Sequence, residues 1–581
     1  MVPFQRLRDS FHKSFPVLAA ATAAVALASC STAPAPVPAP APVPAQAPAT
    51  PAPPSASPRT TPAPGTPSPS PSATPDPGAR ELGWGPQQRD QDAAATVVAA
   101  MSPEQKAGQV LLPFFTGTNP AAHAAVVERL HLAGSIIMGD NIPLDPQGKV
   151  DLTAMTAVNQ RLAQATRADG RPWPGIVGVD QEGGMVARLG APLTEWPAPM
   201  SYGAAGSGPL AREAGQGLAG ELVPLGFNMD FAPDADVTVG PKDPTIGARS
   251  MSGDPGAAAG LSVAFAQGML GAGVLPVVKH FPGHGSVTAD SHLSLPSQPA
   301  SVAELQARDW KPFEAAVAAG APMVMTGHIA VAALEPGVPA SLSAPTYAAL
   351  RGLGFKGVAV TDALNMGAVS KQYPAGSAAV KALAAGADLL LMPADVQQAH
   401  AAIVDAVTSG ALPAARLDEA ALRVATMMTW RARTAARAGT PTGAPAGSGA
   451  ALSAKVSAAA VTVLSGPCSG PLTPGGVQVT GGSPADRERF SAAAARAGLA
   501  VGSGPVVSLV GYGGRAAGGE IAVALDAPWT LQDASAPVKV ALYGRSQAAF
   551  DALAAVLAGK ATAPGKLPAA VGNFPAGTGC P

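Results

Sequence analysis

The stretch VLPVVKHFPGHGSVTADSH, residues 274–292, decides how this sequence folds. It opens with the apolar run Val274–Phe281, which is typical of a strand buried on both faces of a parallel sheet. Lys279 and His280 lie near the end of this run, and a glycine- and proline-containing loop with Asp290 and His292 follows it. The stretch therefore predicts a buried strand whose carboxyl end carries titratable side chains.

Seven further apolar runs share this pattern and are separated by alanine-rich segments of helical character. The eight runs are Gly108–Phe115, Ala133–Met138, Gly175–Asp180, Phe227–Ala232, Val274–Phe281, Pro322–His328, Lys356–Asp362 and Ala387–Pro393. Ahead of the first run, the segment Ser102-Pro103-Glu104-Gln105 has the residues of a capping box with proline at the first helical position. Eight strands that alternate with helices predict an α/β fold of the TIM-like (β/α)8 barrel type. An open doubly wound sheet is the structural alternative.

A second βα alternation follows the predicted barrel. We assign residues 91–437 to the catalytic barrel, residues 438–450 to a linker, and residues 451–581 to a smaller α/β sandwich domain. The predicted strands of this second domain are Ala460–Leu464, Val477–Thr480, Val506–Val510, Ile521–Leu525 and Val538–Tyr543. Gln547–Ala558 is predicted to be a helix.

The N-terminal region has the features of an export signal. Basic residues precede the apolar segment Phe15–Ala28, and the small residues that end it are followed by Cys30. We interpret residues 1–30 as a lipoprotein signal peptide with Cys30 as the lipidation site, which predicts a protein anchored to the outer face of the cytoplasmic membrane. An ordinary signal peptide or an uncleaved anchor remains an alternative. Residues 31–90, rich in proline and alanine, are predicted to be a disordered spacer.

The composition argues against a nucleic-acid partner. The 581 residues are 47% hydrophobic and 13% charged, with a formal net charge of −1, so there is no basic patch for nucleic acid.

The other two cysteines, Cys468 and Cys580, could pair after export, or both could be free thiols. We expect a monomer without a cofactor.

Titratable residues recur at the ends of the predicted strands. They are Asp180, Asp230, Lys279, His280, His328 and Asp362. In a barrel, the carboxyl ends of the strands form one face, and catalytic groups lie there. The pattern therefore predicts an active site at this face.

The motifs narrow the chemistry of this site. His280, His284, Asp290 and His292 could be metal ligands, but they lack a recognised zinc spacing, and we expect no metal. The sequence has no GxSxG elbow and no phosphate-binding glycine loop. An aspartate able to attack, together with an Asp-x-His pair able to donate a proton, suits cleavage of a glycosidic bond.

Four segments make the resemblance to a family specific. They are KHFPGHG with DSH (residues 279–292), VGVDQEGG (177–184), IGARS (246–250) and VAVTDALNMGAV (358–369). With them, the sequence resembles the β-N-acetylglucosaminidases of glycoside hydrolase family 3. The resemblance implies that Asp362 is the nucleophile, that His292 is the general acid and base, and that Asp290 is its partner. It also implies substrate-binding roles for Asp180, Arg188, Arg249, Lys279 and His280.

The resemblance implies a carbohydrate substrate and a function. We expect a retaining exo-enzyme that removes terminal N-acetylglucosamine from peptidoglycan fragments during wall turnover. One position departs from the family pattern: Met185 follows Glu182-Gly183-Gly184 where the family usually has arginine. We assign Glu182 to the support of this Gly-Gly turn. A phosphorylase of the same family, a non-catalytic wall-binding lipoprotein, and a broader β-glucosidase or xylosidase remain alternatives, although the Asp-x-His pair argues against the last.

Overall fold

The structure is a computed structural model that describes residues 76–437, 443–515 and 518–581. Within residues 76–437, each of the eight predicted runs contains a parallel strand at the centre of a barrel. The strands are β1 (Leu111–Leu112), β2 (Gly134–Ile137), β3 (Ile176–Val179), β4 (Met229–Asp230), β5 (Leu275–Phe281), β6 (Met323–Thr326), β7 (Val358–Thr361) and β8 (Leu390–Leu391). The strand prediction is therefore confirmed.

Hydrogen bonds join these strands in chain order into a closed ring. Strands β2 to β7 form one parallel sheet in the order in which they occur in the chain, and β1 pairs with β8. At the first seam, Thr361 donates its N–H to the carbonyl of Leu389, at 3.0 Å. At the second seam, Ile136 donates its N–H to the carbonyl of Pro113, also at 3.0 Å. The barrel, rather than the open sheet, is the observed fold.

Helices surround the barrel and continue into the second domain. They are α1 (Gln88–Ala100), α2 (Pro103–Gln109), α3 (Ala121–Arg129), α4 (Leu152–Ala165), α5 (Met200–Ala205), α6 (Gly208–Leu222), α7 (Pro255–Gly271), α8 (Val302–Ala307), α9 (Lys311–Ala318), α10 (Ala344–Gly352), α11 (Gly367–Ser370), α12 (Ala375–Ala385), α13 (Val396–Thr408), α14 (Ala414–Arg437), α15 (Ala450–Ala460), α16 (Pro484–Arg496) and α17 (Gln547–Leu557). Ser102 caps α2 as predicted, because its hydroxyl accepts from the N–H of Gln105. Among the described helices, none is long and apolar enough to cross a membrane.

The second domain is built on one mixed sheet. Its strands are β9 (Thr462–Ser465), β10 (Gly476–Gly481), β11 (Ala500–Val510), β12 (Ile521–Ala524) and β13 (Val538–Ala541), in the spatial order β9-β13-β12-β11-β10. The β9–β13 pair is antiparallel and the other pairs are parallel. A disulfide joins Cys468 to Cys580, which settles the pairing that the sequence left open.

The folded body begins earlier than predicted. Residues 76–90 were assigned to the spacer, but they pack on the barrel: Trp84 is buried, and Asp90 forms an ion pair of 2.6 Å with Arg433 of α14. The physical reason is a change of composition near residue 80, where apolar and charged side chains replace the proline-rich segment. The apolar side chains provide surface that can be buried against the barrel. Cys30 and the signal peptide lie outside the described residues.

The second domain is seated directly on barrel loops. An apolar cluster of small side chains combines Ala198, Met200 and Ala204 from the barrel with Ala524 and Tyr543 from the sheet. Two further contacts cross the boundary: the N–H of Ala198 donates to the carbonyl of Tyr543 at 2.9 Å, and the hydroxyl of Ser252 donates to the carbonyl of Pro568 at 2.9 Å. These contacts bring the second domain beside the loops that follow β3 and β4.

Candidate active site

The predicted site residues gather at the carboxyl ends of the barrel strands. Asp180 directly follows β3, Lys279 and His280 lie near the carboxyl end of β5, and Asp362 directly follows β7. The remaining predicted residues lie on loops of this face: Arg188 after the short pair of strands 181–187, Arg249 in a 3-10 turn after β4, and Asp290 and His292 in the loop after β5. The fold therefore assembles groups that are far apart in the sequence.

A buried carboxylate organises the cations of this face. Glu182, almost fully buried, accepts from Nε and Nη2 of Arg249, both at 2.8 Å, and lies 2.6 Å from Nζ of Lys279. Asp180 lies 3.4 Å from Nζ of Lys279 and 3.0 Å from Nη2 of Arg188. Glu182 is therefore the centre of an ion-pair network. The expectation that it supports the Gly-Gly turn is wrong.

Electrostatics keep this network ionised. Burial alone would raise the pKa of Glu182, but the charges of Arg249 and Lys279 outweigh it and hold that pKa far below the usual range. Burial would likewise lower the pKa of Lys279, but Glu182 and Asp180 outweigh it and raise the pKa. The side chains consequently remain charged donors and acceptors at neutral pH, held in fixed positions.

A second buried carboxylate orients His280. Asp236 accepts from Nδ1–H of His280 at 2.7 Å and from the backbone N–H of His284 at 2.5 Å. Burial raises the pKa of Asp236 to about 7 and lowers the pKa of His280 to about 4. With Nδ1 committed as a donor, a neutral His280 keeps Nε2 as an acceptor.

The same region contains a group of metal-ligand types. Asp234, Asp236 and His280 place ligand atoms within 4.8 Å of one another. However, Nη2 of Arg249 lies 3.5 Å from Oδ2 of Asp234, so a cation of the protein already faces this group. The expectation that no metal takes part stays a prediction.

Asp362 is a buried, ionised carboxylate. Its Oδ1 accepts from the N–H of Ala363 at 2.8 Å. Burial would raise the pKa of Asp362, but the facing rings of His328 and His280 and the Ala363 N–H outweigh it and hold the pKa well below the usual value. His328 donates from Nε2 to the carbonyl of Ala363 at 2.9 Å and accepts at Nδ1 from Ser341 at 2.7 Å, which fixes its tautomer. Asp362 is thus available as a nucleophile.

Asp290 and His292 form the predicted pair. Oδ1 of Asp290 accepts from Nδ1 of His292 at 2.8 Å and from its backbone N–H at 2.9 Å. The hydrogen bond that His292 donates to Asp290 is the main cause that raises the pKa of His292, and the same bond lowers the pKa of Asp290. The imidazole side chain is 61% exposed, so it is open to a substrate. The charge of Asp362 contributes to the raised pKa of His292, and His292 contributes to the lowered pKa of Asp362.

Backbone contacts hold the His292 loop against the loop that follows Asp362. The N–H of Gly367 donates to the carbonyl of His292, and the N–H of Ala368 donates to the carbonyl of Ser291, both at 3.2 Å. A Cβ on Gly367 would lie 2.7 Å from the carbonyl oxygen of His292, so glycine is required for this approach. The loop that carries His292 is therefore seated on the loop that follows Asp362.

Three buried carboxylates belong to this site although their local sequence does not mark them as site residues. Glu182, Asp234 and Asp236 are fully or almost fully buried and position the cations and His280. Two of them, Asp234 and Asp236, lie in the acidic segment NMDFAPDAD (228–236), which contains β4 and continues beyond it. The position of these aspartates just after a predicted strand could have identified them, but the prediction included only Asp230. Asp230 itself is buried and accepts from the N–H of Gln181 at 2.9 Å, beneath the site.

Comparison with known proteins identifies relatives of this chain in sequence and in structure. Beta-hexosaminidase LpqI of Mycobacterium tuberculosis is 35% identical over 355 residues, which cover 57% of this chain and 84% of that protein. Beta-hexosaminidase A of Pseudoalteromonas piscicida is 32% identical over 339 residues, which cover 54% of this chain and 56% of that protein. The solved structure of a glycoside hydrolase family 3 beta-N-acetylglucosaminidase from Paenibacillus sp. strain FPU-7 matches with a TM-score of 0.72 at 29% identity. That match covers 81% of this chain and 99% of the other.

A family model covers the barrel. The model of the glycosyl hydrolase family 3 N terminal domain matches residues 103–427, which is more than half of the chain. Together with the relatives above, this match confirms the resemblance carried by the motifs, and the chain belongs to glycosyl hydrolase family 3.

Proposed function

We propose that this protein is a retaining exo-β-N-acetylhexosaminidase that releases terminal non-reducing β-linked N-acetylglucosamine. The observation that carries the proposal is the pairing of an ionised, buried Asp362 with an imidazole, His292, whose pKa is raised by Asp290. A carboxylate nucleophile and a separate proton donor are the two groups that a retaining glycosidase needs. The beta-hexosaminidase relatives support the choice of an N-acetylhexosamine.

The reaction proceeds in two steps. In the first, Asp362 attacks the anomeric carbon, the bond from this carbon to the leaving oxygen breaks, and His292 transfers its proton to that oxygen. In the second, neutral His292 takes a proton from water, the oxygen of this water attacks the anomeric carbon, and Asp362 leaves as a carboxylate. His292 ends protonated, Asp362 ends ionised, and the configuration at the anomeric carbon is retained.

Asp290 sets the working range of the imidazole. Its hydrogen bond at 2.8 Å holds the ring through Nδ1, which leaves Nε2 to transfer the proton. The raised pKa increases the fraction of His292 that is protonated and ready for the first step. After that step the ring is neutral and adjacent to water, so it serves as the base.

The charged network supplies the sugar site. Asp180, Arg188 and Lys279 present carboxylate, guanidinium and ammonium groups at the same strand ends, and Nε2 of His280 adds an acceptor. Arg249, held by Glu182, faces the same space. We assign these groups to the hydroxyls and the N-acetyl substituent of the terminal sugar, because charged donors and acceptors form the strongest hydrogen bonds to such groups.

We further propose where the protein works. The lipobox-like Cys30 and the proline-rich residues 31–75 suit a lipoprotein anchored to the outer face of the cytoplasmic membrane, with peptidoglycan fragments as its substrates. The proposal predicts labelling of the full chain by a radioactive fatty acid in the native host, and loss of that label in Cys30→Ala. Label retained in Cys30→Ala would contradict it.

Hydrolysis of p-nitrophenyl β-N-acetylglucosaminide by the purified chain tests the proposed activity. We expect turnover with release of the β-anomer, a loss of about 10⁴-fold or more in Asp362→Ala, and a loss in His292→Ala that is smaller on this activated leaving group than on a disaccharide. Asp405→Ala, an exposed aspartate on α13, is the matched control and should stay within about twofold of wild type. An inert wild type, on both this substrate and wall fragments, would refute the proposal.

The same assay separates the phosphorylase alternative. His292 is an imidazole, which does not repel an incoming phosphate as a carboxylate would. Inorganic phosphate is therefore added, and N-acetylglucosamine 1-phosphate is sought among the products. Faster turnover with that product would identify a phosphorylase, whereas N-acetylglucosamine alone identifies the hydrolase.

A further inference from the structure

The pair formed by Asp290 and His292 is closed within one turn of the chain. Oδ1 of Asp290 accepts from the backbone N–H and from Nδ1 of His292, two residues further on. The carbonyl of Asp290 accepts from the N–H groups of Leu293 and Ser294, both at 3.0 Å. These bonds orient the imidazole relative to its own turn, residues 290–294, but they do not determine where the turn lies on the barrel. Contacts outside the turn must supply that placement.

Ser291 is the residue through which the 290–294 turn reaches the interior. It is 1% exposed, whereas the imidazole of the next residue, His292, is 61% exposed. The hydroxyl of Ser291 lies 2.9 Å from Nε2 of His284, which is hydrogen-bond distance. Its carbonyl accepts from the N–H of Ala368 at 3.2 Å. Ser291 therefore attaches the turn both to the end of β5, through its side chain, and to the loop after β7, through its backbone.

His284 is itself held firmly. It is 2% exposed, and its backbone N–H donates to Oδ1 of Asp236 at 2.5 Å. Its ring packs edge to face on the ring of His280, with the ring centres 5.7 Å apart. Asp236 also orients His280, so the two histidines share one buried carboxylate. His284 is consequently a rigid anchor, and its bond to Ser291 ties the 290–294 turn to the residues that hold His280.

The two nitrogens of the His284 ring have different surroundings. Nε2 faces the hydroxyl of Ser291, whereas Nδ1 is buried without a hydrogen-bond partner among the described residues. Burial lowers the pKa of His284 to about 3, so the ring is neutral at neutral pH and moves no proton in the proposed reaction. A buried polar atom without a partner costs stability that an apolar side chain would not cost. The bond of Nε2 is therefore the contribution of this ring that an apolar ring could not replace.

We propose that His284 is a positioning residue for the general acid and base: through Ser291 it fixes the 290–294 turn so that Nε2 of His292 meets the leaving oxygen. The inference rests on the proposed function, because it assigns the support of His292 in the same reaction. A displacement of about 1 Å can cost about a hundredfold in rate, so one bond at the base of the turn is sufficient to matter. Because Asp290 and His292 are joined within the turn, loss of the Ser291 bond should misplace the imidazole without separating the pair.

Two aryl glycosides that differ in their need for an acid test the inference. The leaving group of 2,4-dinitrophenyl β-N-acetylglucosaminide departs with little help from a proton donor, whereas that of phenyl β-N-acetylglucosaminide needs one. The readout is kcat/KM for each glycoside, which includes the step in which His292 is the acid. We expect Ser291→Ala to lower kcat/KM about tenfold on the phenyl glycoside and less than about twofold on the dinitrophenyl glycoside. Ser297→Ala, an exposed serine six residues further along the chain, is the control and should leave both values unchanged.

Replacements of His284 separate the Nε2 bond from the rest of the ring. His284→Gln carries its amide near the position of Nε2 and should stay within about threefold of wild type on the phenyl glycoside. His284→Asn carries its amide near the position of Nδ1 and should lose about tenfold, as Ser291→Ala does. Because both changes remove the same bond, His284→Asn combined with Ser291→Ala should lose no more than either alone. The alkaline limb of the pH profile of kcat/KM should stay at the wild-type pH in Ser291→Ala, since Asp290 still holds His292.

The outcomes distinguish this inference from the proposed function. Wild type that cleaves neither glycoside refutes the proposed function itself. Equal losses on both glycosides in Ser291→Ala overturn the inference, because a general disturbance of the site lowers both, and unchanged kcat/KM on the phenyl glycoside overturns it as well. An alkaline limb that moves in Ser291→Ala would assign the effect to the pKa of His292 and would also overturn it. Ser291→Ala removes one oxygen atom and keeps the backbone bonds of the turn, so it decides the question even where a variant of His284 does not fold.

Discussion

Replacement of Glu182 by glutamine tests whether the ion-pair network holds the site together. The substitution keeps the size of the side chain and removes its negative charge. Arg249 loses both of its bonds of 2.8 Å to a carboxylate, and Lys279 loses its contact of 2.6 Å. Two buried cations then lack their main counterion, which is the costly way to break a buried ion pair.

The structure sets the expected size of the effect. Removal of one partner of a buried ion pair costs about 3–5 kcal/mol. Asp180 remains 3.4 Å from Nζ of Lys279, and Asp234 remains 3.5 Å from Nη2 of Arg249, so we expect the lower end, about 3 kcal/mol. Because both cations also shift, kcat/KM should fall by about a hundredfold.

Urea unfolding of wild type and Glu182→Gln gives the stability difference, and Glu213→Gln is the matched control. Glu213 lies 3.5 Å from Lys455, and both side chains are more than half exposed. An exposed pair of this kind is worth at most about 1 kcal/mol. A loss in Glu182→Gln no larger than in Glu213→Gln would refute the reasoning, because the network would then contribute nothing through its charge.

The pH dependence gives a second check on the same substitution. The pKa of Glu182 is lower in the folded protein than its ordinary value of 4.5. Its ionised form therefore stabilises the fold fully above this value, and the contribution is lost as the pH falls below it. The stability difference between wild type and Glu182→Gln should narrow on acidification. A difference that stays constant from neutral pH down to about pH 3 would contradict an electrostatic origin.

Three further substitutions test the proposed acid, its loop and the second domain. Asp290→Asn should lower the pKa of His292. The alkaline limb of the pH profile of kcat/KM should therefore move to lower pH, and the loss of activity relative to wild type should grow from about pH 5 to about pH 8. An alkaline limb at the wild-type pH would contradict the pairing of Asp290 with His292. Gly367→Ala should reduce kcat about tenfold or more without unfolding the protein, while Gly352→Ala, with open space around its Cβ position, should not. Cys468→Ser opens a disulfide that spans 112 residues and should cost about 2–4 kcal/mol, measured by urea unfolding; dithiothreitol should destabilise wild type but not the variant.

The sequence was sufficient for the barrel because parallel strands buried on both faces must be apolar throughout. Each of the eight runs contained a strand, and the titratable residue at the end of a run marked the carboxyl end of that strand. The same pattern of runs and terminal charges predicted that Asp180, Lys279, His280 and Asp362 would lie on one face. The five strand candidates of the second domain were also confirmed, although Gly476–Gly481 and Ala500–Val510 are only partly buried.

Partners across long stretches of chain could not be deduced in this way. Arg249 is 67 residues from Glu182, and nothing in either local segment specifies the other. The position of Glu182 beside two glycines suggested a turn, whereas the tertiary fold places it between two cations. The pairing of Cys468 with Cys580 depended equally on a distance that only the folded chain defines. Local patterns thus predict where charges lie but not which charges meet.

The seating of the His292 loop links the proposed acid to the proposed nucleophile, Asp362. His292 is bound through its carbonyl to the N–H of Gly367, and Gly367 follows Asp362 by five residues on the loop after β7. The contact therefore ties the His292 loop to the loop after β7, while the N–H of Asp362 donates to the carbonyl of Thr326 at 2.9 Å and holds Asp362 at the strand end. Because a retaining glycosidase needs both groups at once for each step, a direct backbone contact between their loops is the simplest way to hold that geometry while leaving the imidazole exposed to substrate.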